Sequence, residues 1–270
     1  MFSVIIPLKT NHKYLKHCLK GLSNQTLSPN EILFIFNNAE LRVKEFTKNF
    51  ATKNFQKSKL IFLESHKEGP GAARNIGFLN ANENFLAFLD SDDIWPINYL
   101  ETRKSYILKN NAQFTASDTI IFDSRTNKGY LRSSNKLILN FEDFSKGNPI
   151  STSSTIISKK LMRKIGGFSH LKKRNDFATW LKASKFSSCE FIKGGSPVFI
   201  IKRSNSLSSY KISLLKYNYL SFRGIGLGKF ASLIRCFFSI FYSFYAKIYW
   251  NYINKKNILE YDLSEKSFTN

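Results

Sequence analysis

Four short apolar runs, "FSVIIP" (2–7), "EILFIF" (31–36), "KLIFLE" (59–64) and "NFLAFLD" (84–90), recur in the first third of the chain, rich in β-branched and aromatic residues. Runs of this length without polar alternation mark strands buried on both faces. Between the first two, Leu15, Leu19 and Leu22, with Cys18 beside them, recur at helical spacing from about Asn11, while Lys13, Lys16 and Lys20 take the other face. A lysine-rich amphipathic stretch from Leu41 to Phe55 follows the second run, and "GPGAARNIGFLNA" (69–81) turns tightly into a helix before the fourth. There Gly69 and Gly71 allow close backbone approach, and Ala72, Ala73 and Gly77 suit a helix packed near another element. Strands and helices in alternation need crossover connections. The expected fold is therefore α/β, a mainly parallel sheet covered by helices.

The fourth run ends in the chain's densest acid cluster, Asp90, Asp92 and Asp93, although Lys and Arg number 41 against 19 Asp and Glu. In open α/β sheets the carboxyl ends of the strands are where ligands bind. Asp90 and Asp92, two apart on a loop, project toward one locus. Their hard oxygens suit Mg²⁺ or Mn²⁺, which bind a few carboxylates together with a substrate's phosphates and waters. The alternative is that Ser91, Asp92 and Asp93 cap the following helix. A net charge of +22 implies attraction to a polyanion: nucleic acid, an anionic membrane surface or a phosphorylated substrate. No acid falls between Phe191 and Leu259, so the positive field belongs mainly to the C-terminal third.

A chain of 270 residues buries a sizeable core without disulfides. Cys18, Cys189 and Cys236 are odd in number and far apart, which argues for reduced thiols, against zinc, and for a cytosolic compartment. "MFSVIIPLKT" reads as a first strand and not as a signal peptide. In the middle, "AQFTASDTIIFDS" (112–124) and "GYLRSS" (129–134) suggest strands joined by a polar turn. Residues 141–168 read as loop, strand and a short helix ending at Gly166–Gly167, and "NDFATWLKASKF" (175–186) as a helix. "VFIIK" after Pro197 is a final strand. Beyond it, "GKFASLIRCFFSIFYSFYAKIYWNYINKK" (228–256) packs aromatics between basic residues. Its longest uncharged run, Cys236 to Ala246, is too short to span a bilayer, which takes about 20 apolar residues. Either it forms an interfacial helix on anionic lipid, or it packs on the protein's own core or a dimer partner.

"FSVIIPLKTNHKYLKHCLKGLSNQTLSPNEILFIFNN" followed by "GPGAARNIGFLNANENFLAFLDSDDIWP" resembles the nucleotide-binding half of glycosyltransferase family 2, in family order and spacing over about the first hundred residues. The resemblance implies a GT-A fold and a nucleotide-diphosphate sugar used with Mn²⁺ or Mg²⁺. By the family's motifs, Asp92 matches the main metal-binding carboxylate and Asp90 its partner. Pro7, Leu8 and Lys9 match the loop bordering the nucleobase, and Ser91 lies within the donor motif. Arg74 stands at the "ARN" position, pairing with phosphate or holding the acid loop, with a surface arginine as the alternative. Where the family reads "VDDGS", this chain has "FIFNNAE". Phe36 then takes the place of the first acid and Asn37 that of the base-contacting acid, where an amide still hydrogen-bonds a uracil edge or, with Asn38, merely forms a turn.

"KIGGFSHLKKRNDFATWLKAS" resembles the family's second conserved segment and places Asp176 at the catalytic base of inverting members; the alternative is a helix N-cap. Asn175 replaces the usual preceding Glu. "NPISTSSTIIS" resembles the stretch near the acceptor, and "IKRSNSLSS" (201–209) the family's "YR.H..S.S" ending with Ser204 in place of the histidine.

The resulting expectation is a GT-A domain over residues 1–205, its nucleotide half 1–100 and acceptor half 101–205, and a helical basic extension over 206–270. It would be an inverting transferase using a UDP-sugar and a hydroxyl of a growing, lipid-linked surface glycan, peripheral at the inner face of the cytoplasmic membrane. Two rival readings stand beside it: a non-catalytic, carbohydrate- or membrane-associated relative of the fold, to which Phe36, Asn37 and Asn175 point, and, behind it, a basic nucleic-acid-binding protein, which would explain the charge and the aromatics. Nucleic acid is not an expected partner, since no recognised binding module is present.

Overall fold

The computed structural model describes residues 1–10, 14–123, 125–202, 211–254 and 259–260. Its first half follows the alternation of the sequence: β1 (Phe2–Leu8), α1 (Leu15–Ser23), β2 (Glu31–Asn37), α2 (Leu41–Asn54), β3 (Lys59–Ser65), α3 (Pro70–Asn80), β4 (Phe85–Phe88) and α4 (Tyr99–Asn110). The four strands lie parallel in the order β3-β2-β1-β4. Every residue of β2 is buried, as a strand covered by helices on both faces must be. Successive side chains supply opposite layers: Ile32, Phe34 and Phe36 pack with α1, α2 and α4, while Leu33 and Ile35 pack with α3. Helix α3 sits close to the sheet because Gly77 has no Cβ; one built there would lie 2.5 Å from Cγ2 of Ile5 on β1.

The second half is more interrupted. The expected strand over 112–124 is two strands, β5 (Phe114–Ser117) and β6 (Thr119–Asp123), in different sheets. Asp118 makes the break. Its buried carboxylate accepts from the Gly194 N–H at 3.0 Å and its carbonyl from the Val198 N–H at 3.2 Å, which turns the chain out of one ladder and into another. There follow β7 (Lys128–Arg132), β8 (Ile138–Leu139), α5 (Phe141–Ser145), a 3₁₀ turn (Thr152–Ser154), β9 (Ile156–Ser158), α6 (Lys159–Ile165) and α7 (Asn175–Ala183). The start of the 141–168 segment, expected as loop, is the helix α5, which Asn140 and Asp143 close with a reciprocal capping box. β10 (Cys189–Ile192), too short to stand out in the sequence, and β11 (Val198–Lys202) complete the strands before the C-terminal helices α8 (Lys211–Gly224) and α9 (Lys229–Asn254) and the short β12 (Leu259–Glu260).

The large sheet extends as β3-β2-β1-β4-β9-β5-β10-β8, with antiparallel pairing at β9 and β8, and a second sheet runs β11-β6-β7-β12. This is the mixed, mainly parallel sheet expected of a GT-A fold.

Helices α8 and α9 pack on the domain. Phe222, Ile225 and Cys236 join the core that contains Trp180, and the Phe222 ring meets Phe177 edge-on at 6.0 Å. Arg235 pairs with Glu142 of α5 at 2.7 Å. Ser232, Cys236 and Ser239 face inward, whereas Phe230, Leu233, Phe237, Phe238 and Phe241 on the other face of α9 are exposed. No helix among the described residues is long and apolar enough to cross a membrane. The boundary expected near residue 205, and the Arg203–Ser204 part of "IKRSNSLSS", lie outside the described residues. All three cysteines are free and buried.

Candidate active site

Because β2, β1 and β4 are neighbours, their carboxyl ends form one edge, with Leu8 in register with Phe36. Pro7, Leu8 and Lys9 at the end of β1, Asn37 at the end of β2, and the loop Asp90–Asp93 after β4 all lie along it. Asn37 is buried, its Nδ2 donating to the carbonyls of Gly69 at 2.8 Å and Lys67 at 3.2 Å. Asn38 takes a left-handed conformation (φ 47°) and donates its N–H to Ser65 O at 3.1 Å. The pair ties β2 to the loop that enters α3. Phe36 is buried and stacks on Phe62 at 6.2 Å, a site that would not tolerate the acid it replaces.

The three acids of the loop separate into different environments. Asp93 is buried: Oδ2 accepts from the Ser153 hydroxyl at 2.5 Å and Oδ1 from the Ile201 N–H at 3.1 Å. Ser153 also accepts the Asp90 N–H at 3.0 Å, and the carbonyl of Ser153 accepts the Trp95 indole N–H at 2.7 Å. Asp93 thus fastens the loop to the 3₁₀ turn and to β11. Burial, and after it the charges of Asp92 and Asp90, push the Asp93 carboxyl well above the usual range. Cys18 lies beneath the same loop with its thiol directed at the Asp90 carbonyl (3.6 Å); burial first, then the three acids, keep it protonated.

Asp90 is partly exposed and pairs through Oδ1 with Nη2 of Arg74. Ser91 and Asp92 are also partly exposed. None of the acids caps the next helix, since α4 begins at Tyr99 behind Asn98. Arg74 is not a surface arginine: it is buried on α3, its guanidinium 5.3 Å from the Phe168 ring centre, and its Nε has no hydrogen-bond partner among the described residues.

Asp176 is the second residue of α7, and its Oδ2 accepts from Nδ2 of Asn148 at 2.9 Å. The N-cap of that helix is Arg174, at φ 60° and without a side-chain cap, so the capping role considered for Asp176 is not the one it has. A Cβ on Gly71 would lie 3.1 Å from Cγ of the buried Asn175, so the first turns of α3 and α7 touch. That contact brings the two motifs together. Arg74, Asp90 and Asp176 line a single cleft of about 470 Å³, within the range of small-ligand sites. Pro7, Leu8, Lys9, Asn37, Ser91 and Asp92 do not line it and stand along the sheet edge beside it.

The cleft also holds residues that the motifs did not single out. Arg132 of β7 donates to the Asn148 carbonyl and, at 3.3 Å, to the Ser151 hydroxyl. Lys172, Lys173 and Arg174 enter from the segment before α7. The triplet was visible in "HLKKRNDF", but a basic run in so basic a chain stands out little. Arg132 had no local signal at all.

Among the described residues no three of His, Cys, Asp and Glu gather as a cage for an ion. Two partly exposed carboxylates with oxygen donors, Asp90 and Asp92, fit a Mg²⁺ or Mn²⁺ held mainly by phosphates and water. Asp93, hydrogen-bonded through both oxygens, does not belong to that set.

Residues 3–166 match the sequence profile of Glycosyl transferase family 2. The chain belongs to this family. It is a glycosyltransferase. It is 27% identical over 221 residues to an uncharacterized glycosyltransferase of Haemophilus influenzae, covering 81% of this chain and 86% of that one. It is also 27% identical over 222 residues to the UDP-Glc:alpha-D-GlcNAc-diphosphoundecaprenol beta-1,3-glucosyltransferase WfgD of Escherichia coli, with 80% and 83% covered. Among solved structures, S. aureus TarS 1–349 in complex with UDP-GlcNAc superposes with a TM-score of 0.65 at 17% identity, over 86% of this chain and 69% of that one. The shared fold is the GT-A fold of family 2.

Proposed function

We propose that this family 2 enzyme transfers a sugar from a UDP-sugar to a hydroxyl of a growing, lipid-linked surface glycan with inversion at the anomeric carbon. One observation carries the reading: the cleft brings the Arg74–Asp90 pair, at the carboxyl end of β4, together with Asp176 at the start of α7. Pro7, Leu8, Lys9 and Asn37 would border the nucleobase, Asp90 and Ser91 would meet the donor's sugar diphosphate, and Arg74 would serve the donor by holding Asp90 in place. Asp90 and Asp92 would hold Mn²⁺ or Mg²⁺, which when bound offsets charge on the leaving diphosphate. Asp176 takes the proton of the acceptor hydroxyl as its oxygen attacks in line; the bond to the diphosphate breaks and UDP leaves with the electron pair. Asn148 fixes the Asp176 carboxylate through the 2.9 Å hydrogen bond. The carboxylate is thereby preoriented for the proton transfer.

A screen of nucleotide sugars with and without Mn²⁺, read by protection against thermal unfolding, tests the donor assignment. A UDP-sugar should raise the melting temperature in a Mn²⁺-dependent manner. Protection by no nucleotide sugar would favour the non-catalytic alternative.

The exposed face of α9 supports a peripheral site of action. Phe230, Leu233, Phe237 and Phe241 recur at helical spacing, in a segment without a single acid from Phe191 to Leu259. Such a face suits the headgroup zone of an anionic bilayer. Burying one phenylalanine is worth about 1.5–3 kcal/mol, so Phe237→Ser with Phe241→Ser should weaken flotation with phosphatidylglycerol liposomes by at least about tenfold. Equal flotation of the variant, or dimerisation through this face instead, would remove the membrane from the account.

A further inference from the structure

The positive charge in the cleft is unevenly placed. On the donor side Arg74 is matched by Asp90. On the acceptor side Arg132, Lys172, Lys173 and Arg174 line the wall, where among the described residues Asp176 is the one carboxylate beside them; the third acid of the lining, Asp93, is taken up by Ser153 and the Ile201 N–H. Neither Arg132 nor Arg174 is within ion-pair distance of an acid among the described residues. Their hydrogen-bond partners there are neutral: the Asn148 carbonyl and Ser151 hydroxyl for Arg132, and the Asn218 carboxamide at 2.8 Å for Arg174. Arg174 is also held at φ 60°, a conformation that a residue without glycine's freedom adopts at a cost, with its guanidinium 4.8 Å from the Phe177 ring centre.

Both arginines are half-buried, and withdrawing a guanidinium from water without an opposite charge in contact is unfavourable. Burial pushes both arginines below their ordinary value, with the Asp176 charge counteracting it in each. A single carboxylate, already bonded to Asn148, faces two half-buried guanidiniums. Arginine's planar fork suits phosphate oxygens, and the two lysines add point charge at the rim.

We propose that this wall is a second phosphate-binding subsite, and that the acceptor is a sugar carrying a phosphate or diphosphate close to the hydroxyl that receives the new residue. The inference rests on the transferase reading above, and it narrows the acceptor to glycosyl phosphates, as at the reducing end of a short lipid-linked saccharide. The Arg132–Asn148–Asp176 chain of hydrogen bonds gives the subsite a fixed relation to the base, because one asparagine accepts from the arginine through its carbonyl and donates to the carboxylate through its side chain. Phosphate bound at Arg132 therefore sets where the acceptor hydroxyl lies relative to Asp176. The reaction class that supplies such a substrate is the transfer of a sugar phosphate onto a lipid phosphate.

The same cations could instead hold the donor's diphosphate, and the experiment separates the two sources. Octyl diphosphate is titrated into the full chain by calorimetry in excess Mg²⁺, with and without saturating UDP, and octyl glucoside serves as the neutral comparator. The expected result is diphosphate binding that persists when UDP is bound. It should weaken about tenfold or more in Lys172→Ala/Lys173→Ala, a loss of roughly 1.4 kcal/mol, and also in Arg174→Gln. The lysine pair guards against misfolding of the arginine variant. Competition between octyl diphosphate and UDP would assign the wall to the donor and overturn the proposal, as would binding no tighter than that of octyl glucoside. Failure of UDP itself to bind would instead count against the donor reading, so the two ideas fail by different results.

Discussion

Asp176→Asn is expected to lower kcat for sugar transfer by about 10²–10⁴-fold while leaving UDP binding close to wild type. The amide has the size and shape of the carboxylate, and its oxygen still accepts the 2.9 Å hydrogen bond from Asn148. What it loses is the ability to take a proton from the acceptor hydroxyl as the new bond forms. General-base catalysis contributes about that factor. The change also removes a negative charge from the first turn of α7, where it interacts favourably with the helix dipole by only about 0.3–1 kcal/mol. A folding defect therefore does not account for a thousandfold loss. The measurement is steady-state transfer at saturating donor and acceptor, with UDP affinity followed separately. A variant turning over at the wild-type rate would take Asp176 out of the reaction.

The nucleotide half was legible in the sequence for a physical reason. Strands buried on both faces appear as unbroken apolar runs, and helices between them appear as a 3.6-residue period, so β1 to β4 and the loop after β4 emerge at nearly their final bounds. The acceptor half is governed by contacts distant in sequence. Asp118 looks like one acid in a strand, but its partner Gly194 lies 76 residues away, and that bond divides the strand between two sheets. Arg132 reaches the cleft only because β7 pairs with β6 in the second sheet. The acids of "DSDD" are alike on paper. Only the fold shows that Ser153 and the backbone of Ile201 claim Asp93, that Arg74 claims Asp90, and that Asp92 lies partly exposed beside them. Likewise the C-terminal segment was read as meeting either lipid or the protein core. The structure shows one face of α9 on the core, as the second reading has it, and leaves an aromatic face exposed, to which the proposal of lipid contact is confined.

Arg74→Met should reduce both Mn²⁺-dependent donor binding and transfer by about 10–100-fold, the usual cost of removing the partner that orients a metal-ligating carboxylate. Methionine fills much of the same space but has no charge. It leaves Asp90 beside Asp92 and Asp93 without its counter-ion, and the repulsion that Arg74 offsets then acts on the loop itself. The stability loss should be smaller than for a fully buried pair, about 1–3 kcal/mol, because the Asp90 side chain keeps 34% of its exposure and water takes over part of its solvation. Arg74→Lys should recover little of the activity. The native guanidinium meets the carboxylate with Nη2 while lying against the Phe168 ring, and an ammonium on a flexible stem reproduces the charge but not that fixed plane. The Lys variant thus separates geometry from charge: full activity there would reduce Arg74 to a counter-ion. Unchanged Mn²⁺ dependence in Arg74→Met would show that Asp90 keeps its position alone. The arginine of "ARN" acts, on this account, through Asp90: it is buried, and its reach to the donor is the orientation it imposes on a carboxylate at the end of β4.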